Sequence, residues 1–367
     1  MVAFILHELK VIMPKLFKRN QTVAMIGVDF GSSAVKVLAL SKRADNYIVD
    51  MVSEVATPKG CVVDHQLQDI EALTNVFQQV RQDFPGRYKQ AASAVSGTNV
   101  ITKIIYVDAD LSGPELEMHI ELEAENLIPF PLDEISLDFE IMGVNENDAG
   151  KHNVLLSATR TESVAALAGC LEENNFVPQI VDVAAHALAR AHELYLRLED
   201  LQDDDKVIAA IDIGADMTIF SMLHKGESIY SRVQNFGGEN YTRAISEHYS
   251  LKRDEAENLK LSQQLPLDYD IDVLAPYITA CMQQVRRNLQ LFSHSGALQK
   301  VDMITLSGGS ALIEELAQQI ESELGIPTRV ANPFAKLSYA DGVEDRDRLV
   351  TNGPRYMVAL GLAMRAL

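Results

Sequence analysis

Two stretches half a chain apart read alike, and an internal repeat narrows the choice of fold more than any single motif. Ile26–Lys36 reads IGVDFGSSAVK and Val207–Leu223 reads VIAAIDIGADMTIFSML. With Asp29 set on Asp212, Val28 falls on Ile211 and Gly31 on Gly214, an offset of 212 − 29 = 183 in a chain of 367 residues. Each stretch is an apolar run, an Asp, small residues and a second apolar run. That pattern predicts a buried strand, a tight turn and a returning strand. The chain is therefore read as two related halves, each opening with a hairpin that aims an Asp and a Gly into a shared cleft. Gly31 has no Cβ and lets the backbone approach a ligand. Ser32 and Ser33 add N–H groups of the kind that cradle anions, and Lys36 adds a positive charge. Taken alone, Gly and Ser after a strand make a plain turn just as readily.

Composition limits the partners. Hydrophobic residues make up 47% of the chain and mean hydropathy is −0.01, enough for a sizeable core. Net charge is −20. Such a surface repels phosphate backbones, so no nucleic-acid partner is expected, and an anionic ligand must be held by local dipoles and a cation. Cys61, Cys170 and Cys281 are far apart and lack metal-ligand spacing, which reads as buried thiols in a reducing compartment. No apolar run approaches the length of about 18 residues that spans a membrane. The first dozen residues are either a short amphipathic surface helix or an extension ahead of a native start at Met13, the reading taken here.

Along the first half, strands are predicted from about Val23 to Val55 and a helix over Gln66–Phe84, with apolar positions at helical spacing and a stop at Pro85-Gly86. A strand follows at Ala91–Ser96. Next comes a β-α-β-β-like block over 103–174 with no counterpart in the second half, so it reads as an inserted subdomain. Its helix is expected to open on a Ser112…Glu115 capping box. In the second half, helices are predicted at Tyr241–Ser250, Arg253–Gln263 and Pro276–Ser293. A buried strand at Val301–Leu306 leads through Ser307-Gly-Gly-Ser310 into a helix over Ala311–Leu324. A Gly pair there lets a flat ring or phosphate lie on the backbone, and a helix N-terminus favours negative charge. Glu257 and Lys260 share a helix face, either as a surface ion pair or bracketing a ribose and adenine. Two carboxylates flanking a polyphosphate, Asp29 and Asp212, suit Mg²⁺, which keeps several of its waters. The expected ligand is thus Mg–ATP.

DFGSSAVK, DIGADMT and LSGGS, in this order and spacing, resemble the first phosphate, second phosphate and adenosine motifs of the actin-like ATPases. Pro178–Ala191 and Val358–Ala366 resemble the two connecting helices of that superfamily. Within it, the 103–174 block with Ile128-Pro-Phe-Pro131 and Leu137-Asp-Phe-Glu140, the run Val285-Arg-Arg-Asn-Leu289 and the KLFKRNQ near the start are similar to the PilM family of type IV pilus assembly, close to FtsA. The resemblance implies an α/β, duplicated ribonuclease H-like, actin-like fold of two domains around a nucleotide cleft, with an inserted 1C-type subdomain. It implies a tail over 1–24, domain 1 over 25–205, domain 2 over 206–345 with 2B at about 238–300, and a segment at 346–367 returning to domain 1. ATP is then expected at Asp29, Gly31, Ser32, Ser33, Lys36, Asp212, Gly214, Asp216, Thr218, Gly237, Gly238, Glu257, Lys260, Gly308, Gly309 and Ser310, with Mg²⁺ near Asp29 and Asp212, largely through water.

The same resemblance implies a cytoplasmic scaffold held at the inner membrane by protein partners. A groove between subdomains 1A and 1C would take the cytoplasmic N-terminal tail of PilN, with Phe130, Ile135 and Leu137 as groove neighbours or as core. Contact with other platform proteins and assembly ATPases would be indirect, and self-association is allowed. A filament-forming division protein like FtsA should continue past Leu367 into an amphipathic tail, and a sugar or carboxylate kinase needs a catalytic carboxylate that no motif here supplies. Two departures bear on turnover. Ala215-Asp216 stands where many relatives have Gly-Gly. The residue that positions the attacking water in hydrolysing relatives aligns with either Asp182 or Ala184, and Ala184 would leave no side chain for that task. Slow or negligible hydrolysis is expected.

Overall fold

The computed structural model describes residues 3–4, 25–44, 46–84, 86–145, 148–262, 264–266, 268–295, 300–343 and 346–367. The tail expected at 1–24 therefore lies outside the described residues apart from Ala3 and Phe4, as does Pro85. The chain forms two compact units, 1–187 with 362–367, and 188–361. The sequence reading put the division at 205/206 and the returning segment at 346–367.

In the first unit, β1 (Ala3–Phe4), β2 (Met25–Phe30), β3 (Ala34–Arg43) and β4 (Asn46–Ala56) precede a short hairpin, β5 (Val62–Val63) and β6 (Gln66–Leu67). Helix α1 (Ile70–Asp83) then begins at Asp69, whose carboxylate accepts from the Ala72 N–H. Its apolar face, Leu73, Val76, Phe77 and Val80, is buried. β7 (Gln90–Val95) follows. Next come β8 (Ile101–Asp108), α2 (Pro114–Leu127), β9 (Ile135–Asn145), β10 (Asp148–Arg160), α3 (Thr161–Glu173) and β11 (Val177–Val183). The large sheet runs β1-β11-β7-β2-β3-β4. β2 and β3 are an antiparallel hairpin, whereas β7 lies parallel to both β2 and β11.

Helix α4 (Ala184–Leu198) leads into the second unit, where β12 (Val207–Ile213), β13 (Thr218–His224) and β14 (Glu227–Gln234) are followed by α5 (Gly238–Tyr249), α6 (Arg253–Ser262) and α7 (Ala275–His294). Then come β15 (Met303–Ser307), α8 (Leu316–Leu324), β16 (Thr328–Val330), α9 (Arg346–Asn352) and α10 (Met357–Ala363). The sheet order is β14-β13-β12-β15-β16, again with an antiparallel hairpin followed by parallel neighbours. Strand for strand this matches β4-β3-β2-β7-β11, so the repeat seen in the sequence is a duplicated sheet.

The duplication explains what is inserted. β8, β10 and β9 make a separate three-stranded sheet. With α2 it closes over its own core of Ile105, Val107, Leu116, Ile120, Ala124, Ile135, Val154 and Leu156. Helix α3 packs chiefly on β11 and β7 of the large sheet and on α1, and touches β9 and β10 as well. It precedes β11 as α8 precedes β16 in the second unit; the separate sheet and α2 lie within 101–160, where the sequence reading drew an inserted block over 103–174. Three local expectations are also corrected. Gly113, at φ 56°, is the N-cap of α2 with no side-chain hydrogen bond, so Ser112 forms no capping box. Pro114 at the first helical position has a preset φ and no N–H needing a cap. The predicted helix after Ser310 is a 3₁₀ turn, Gly309–Leu312, and the α-helix begins only at Leu316, beyond a left-handed Glu315. Pro178 lies in strand β11 instead of in a connecting helix.

Candidate functional site

In the first unit, Asp29 ends its strand opposite Lys36 in the β2–β3 register. Lys36 Nζ lies 3.4 Å from Asp29 Oδ2, with the two side chains 10% and 16% exposed. The turn between them is fixed from a distance. Thr57 donates its hydroxyl to the Gly31 carbonyl at 2.7 Å and its N–H to the Ser33 carbonyl at 3.1 Å. A Cβ on Gly31 would stand 2.7 Å from the Ala34 carbonyl, so the turn requires glycine. Ser32 is half-buried and Ser33 exposed. The result is a carboxylate and an ammonium beside a rigid turn, a nearly neutral pair that a phosphate can approach.

In the second unit, parallel pairing sets Asp212 beside Ser307. Ser307 Oγ donates to Asp212 Oδ1 at 2.7 Å. Behind it, His192 of α4 lies 3.1 Å from Ser307 Oγ and 2.8 Å from Thr305 Oγ1. Complete burial pushes the His192 imidazole down to about 3, so it is neutral. Gly214, Gly237 and Gly308 are close-packing glycines. Cβ atoms there would meet Met217, Ala215 and Ile213 backbone at 3.0, 2.4 and 2.3 Å. Gly309 differs, since a Cβ there would meet nothing within 4 Å. The Gly238 and Glu239 N–H groups donate to the Gly214 and Ala215 carbonyls at 2.9 and 2.8 Å, locking the start of α5 onto the β12–β13 turn. Asp216 is half-buried in that turn.

The remaining predicted residues gather around α5 and α6. Lys260 Nζ lies 2.6 Å from Glu257 Oε2 and 2.7 Å from Thr242 Oγ1, and Thr242 also donates to Glu257. At 17% and 24% exposure this is a partly buried triad and not a solvated ion pair. A Cβ on Gly238 would come within 3.3 Å of Ser310 Oγ and 3.8 Å of Lys260 Nζ, so the two loops and α6 meet at one place. Ser310 Oγ is 3.0 Å from the buried Tyr277 hydroxyl. The Tyr277 ring stacks on Tyr241 at 4.7 Å and on Phe236 at 5.7 Å, each with 13° between planes. Ser310 is thereby fixed on an aromatic wall next to the open face of Gly309.

Across this frame, the model of the family described as type IV pilus assembly protein PilM matches residues 27–367. The chain belongs to the PilM family. The structure titled as the PilM–PilN type IV pilus biogenesis complex superposes with a TM-score of 0.81 and 26% identity, covering 94% of this chain and 99% of that one. The cell division protein FtsA of Bacillus subtilis is 23% identical over 265 residues, 66% of this chain and 58% of that protein. MreB 5 of Spiroplasma citri, solved with AMPPNP, shares the fold at a TM-score of 0.51 and 13% identity over 94% and 96% of the two chains.

Within this PilM-family frame the second unit brings together Asp212, Gly214, Asp216, Gly237, Gly238, Glu257, Lys260, Gly308, Gly309 and Ser310, and the first unit holds Asp29, Gly31, Ser32, Ser33 and Lys36 at one turn. Thr218 is buried and spends its hydroxyl on the Phe236 carbonyl at 2.7 Å, so it anchors a loop. Asp182 is wholly buried; it accepts from the Val183 N–H and faces Arg365 at 3.5 Å. Ala184, also buried, offers only a methyl. Phe130, Ile135 and Leu137 belong to the core of the inserted body, with Arg160 lying over the Phe130 ring. Sequence reasoning missed Thr57, Thr242, Tyr277 and His192. Each acts through a strand register or helix face remote in sequence, and the only local signal was Ser307, quoted in the LSGGS run without a role.

Proposed function

We propose that this PilM-family chain is a nucleotide-binding scaffold of type IV pilus assembly that binds Mg–ATP and holds the cytoplasmic tail of an inner-membrane partner, PilN. The observation that carries the nucleotide half of this reading is the pairing of two equivalent strand-end carboxylates, Asp29 and Asp212, each beside a glycine turn at the same place in a duplicated sheet. The donor set suits magnesium. Lys36 approaches Asp29 through Oδ2 and Ser307 donates to Asp212 through Oδ1, and a carboxylate offers about four lone-pair sites, the oxygen-rich setting that a hydrated cation takes. Bound there, the ion would neutralise the phosphates. Lys36, Gly31 and Ser33 of the first unit would meet phosphate, as would Gly237 and Gly238 of the second, with Gly309, Ser310, Glu257 and Lys260 around the nucleoside. In this reading the first unit is domain 1 with 101–160 as its 1C subdomain, and the second is domain 2.

The similarity to a chain of the PilM–PilN complex, which covers 94% of this chain and 99% of that one, supports a PilN-type partner. In the first unit, the face of the inserted sheet opposite α2 carries Ile104 and the exposed Tyr106 beside Asp138 and Glu140, as the cross-strand register places them. That mixture suits an extended tail with apolar and basic side chains. Among the described residues no helix is long and apolar enough to cross a membrane, consistent with attachment through the partner. The burial of Asp182 against Arg365 and the methyl of Ala184 support a nucleotide that is bound and spent slowly.

Thermal melts with and without Mg–ATP test the site. A ligand at 100 times its dissociation constant stabilises the folded state by about 2.7 kcal/mol. The wild-type chain should gain that shift, and Lys36→Ala and Asp212→Ala should each lose it, each variant's melt without nucleotide serving as its own reference. Both variants binding ATP as well as wild type would remove the site from these residues.

A further inference from the structure

The buried histidine of α4 has no place in a list of phosphate or nucleoside contacts, yet it ends a chain of hydrogen bonds that reaches one of the proposed magnesium carboxylates. The donor accounting along that chain has one solution. A carboxylate only accepts, so the single hydrogen of Ser307 is committed to Asp212, at 2.7 Å. Ser307 then has only lone pairs to offer His192 Nε2, 3.1 Å away, and Nε2 must carry the proton. A neutral imidazole has one N–H, so Nδ1 is bare and must accept the hydroxyl hydrogen of Thr305, 2.8 Å away. Thr305, Ser307 and His192 are all fully buried, so none of the three is open to bulk solvent. Thr305 and Ser307 alternate on one face of β15, and His192 spans the two.

We propose that His192 is a positioning residue which, as the Nε2–H tautomer, orders Ser307 and through it fixes the carboxylate of Asp212 for the magnesium–nucleotide complex. This rests on the nucleotide reading above. Outer partners of this kind lock the rotamer of a metal-facing carboxylate, and losing one costs about 10–100-fold in metal affinity. The arrangement also gives α4 a role. That helix starts in the first unit and runs into the second, so a group on it holds one of the nucleotide-facing carboxylates.

The test uses the full-length chain and ATP by titration calorimetry, once with excess Mg²⁺ and once in EDTA. His192→Leu and Ser307→Ala should each reduce the advantage of Mg–ATP over free ATP by about tenfold, leaving affinity for metal-free ATP unchanged. The double variant should be no worse than either single one, since both remove the same link. His192→Gln, which keeps a donor amide, should recover part of the advantage. Unchanged ratios in the single variants, or losses that add in the double, overturn the proposal. Nitrogen-15 spectra of the histidines settle the tautomer in the wild-type protein without nucleotide, the His192 signals being assigned by their loss in His192→Gln. A neutral Nε2–H imidazole is expected, and an Nδ1–H imidazole overturns the relay. A wild-type chain that binds no Mg–ATP would overturn the nucleotide reading and with it the magnesium role, while the tautomer would still decide the hydrogen-bond chain.

Discussion

Neighbouring residues of the candidate site separate fold from ligand. Gly308 sits at φ 85° with the Ile213 carbonyl 2.3 Å from where its Cβ would be, whereas Gly309 faces open space. Gly308→Ala should destabilise the protein by about 2–4 kcal/mol, from strain and backbone clash together, visible as a lower denaturation midpoint. Gly309→Ala should leave that midpoint within about 0.5 kcal/mol and weaken ATP, because its methyl occupies space the ligand would use. Loss of both properties in both variants would mean that Gly309 is structural too. His192 makes a prediction of another kind. Its folded value of about 3 lies below its unfolded 6.5, so the unfolded chain binds the extra proton at pH values between them. The stability it contributes is whole above 6.5 and is lost as pH falls toward 3, by about 1.4 kcal/mol per pH unit. Chemical denaturation from pH 7 to pH 4 should show that slope, and His192→Gln should flatten it.

At the level of elements, a single arginine joins three segments that the sequence keeps apart. Arg81 on α1 donates to the carbonyls of Tyr88 and Asn174 at 3.3 Å each and to that of Asn175, and its guanidinium lies 3.5 Å from the centre of the Phe176 ring. It closes the C-terminal end of α3 against α1. A point charge on a flexible stem cannot make this fan of bonds and stack at once. Arg81→Lys should therefore cost nearly as much as Arg81→Ala, about 1–3 kcal/mol, read by thermal melts. No periodicity or motif pointed to this clasp. What was legible in the sequence was local: DFGSSAVK and DIGADMT each encode strand, turn and strand within a few residues, and their echo gave the duplicated sheet. What was not legible depended on register. Thr57 reaches the Gly31 turn only because β4 pairs with β3, Asp182 meets Arg365 only because the chain end folds back, and α3 packs chiefly on the large sheet, preceding β11 as α8 precedes β16. The Ser112 capping box failed for a related reason, since the Pro114 that follows Gly113 fixes the helix start by itself.

For the whole molecule, the chain passes between its units at 187/188 and again at 361/362. Both passages are tied down close by. His192 anchors α4 to β15, and Arg365, just beyond the second passage, is paired with the buried Asp182. A proposed nucleotide held by residues of both units and a proposed partner tail held by the first would then share the same two connections. If they are coupled, thermodynamics requires the coupling to be equal in both directions. A synthetic peptide of the partner's N-terminal tail should bind the chain more tightly with Mg–ATP present, by about 5–150-fold for a typical coupling, and the peptide should tighten ATP by the same factor. Two calorimetric series close the cycle. A peptide that binds equally well with and without nucleotide would leave ATP as a stabiliser of the fold and not a signal to the partner. Asp212→Ala, which removes a proposed nucleotide contact far in sequence from the inserted body, should bind the peptide at the nucleotide-free affinity whether or not ATP is added, and that result would place the coupling in the nucleotide and not in the peptide surface.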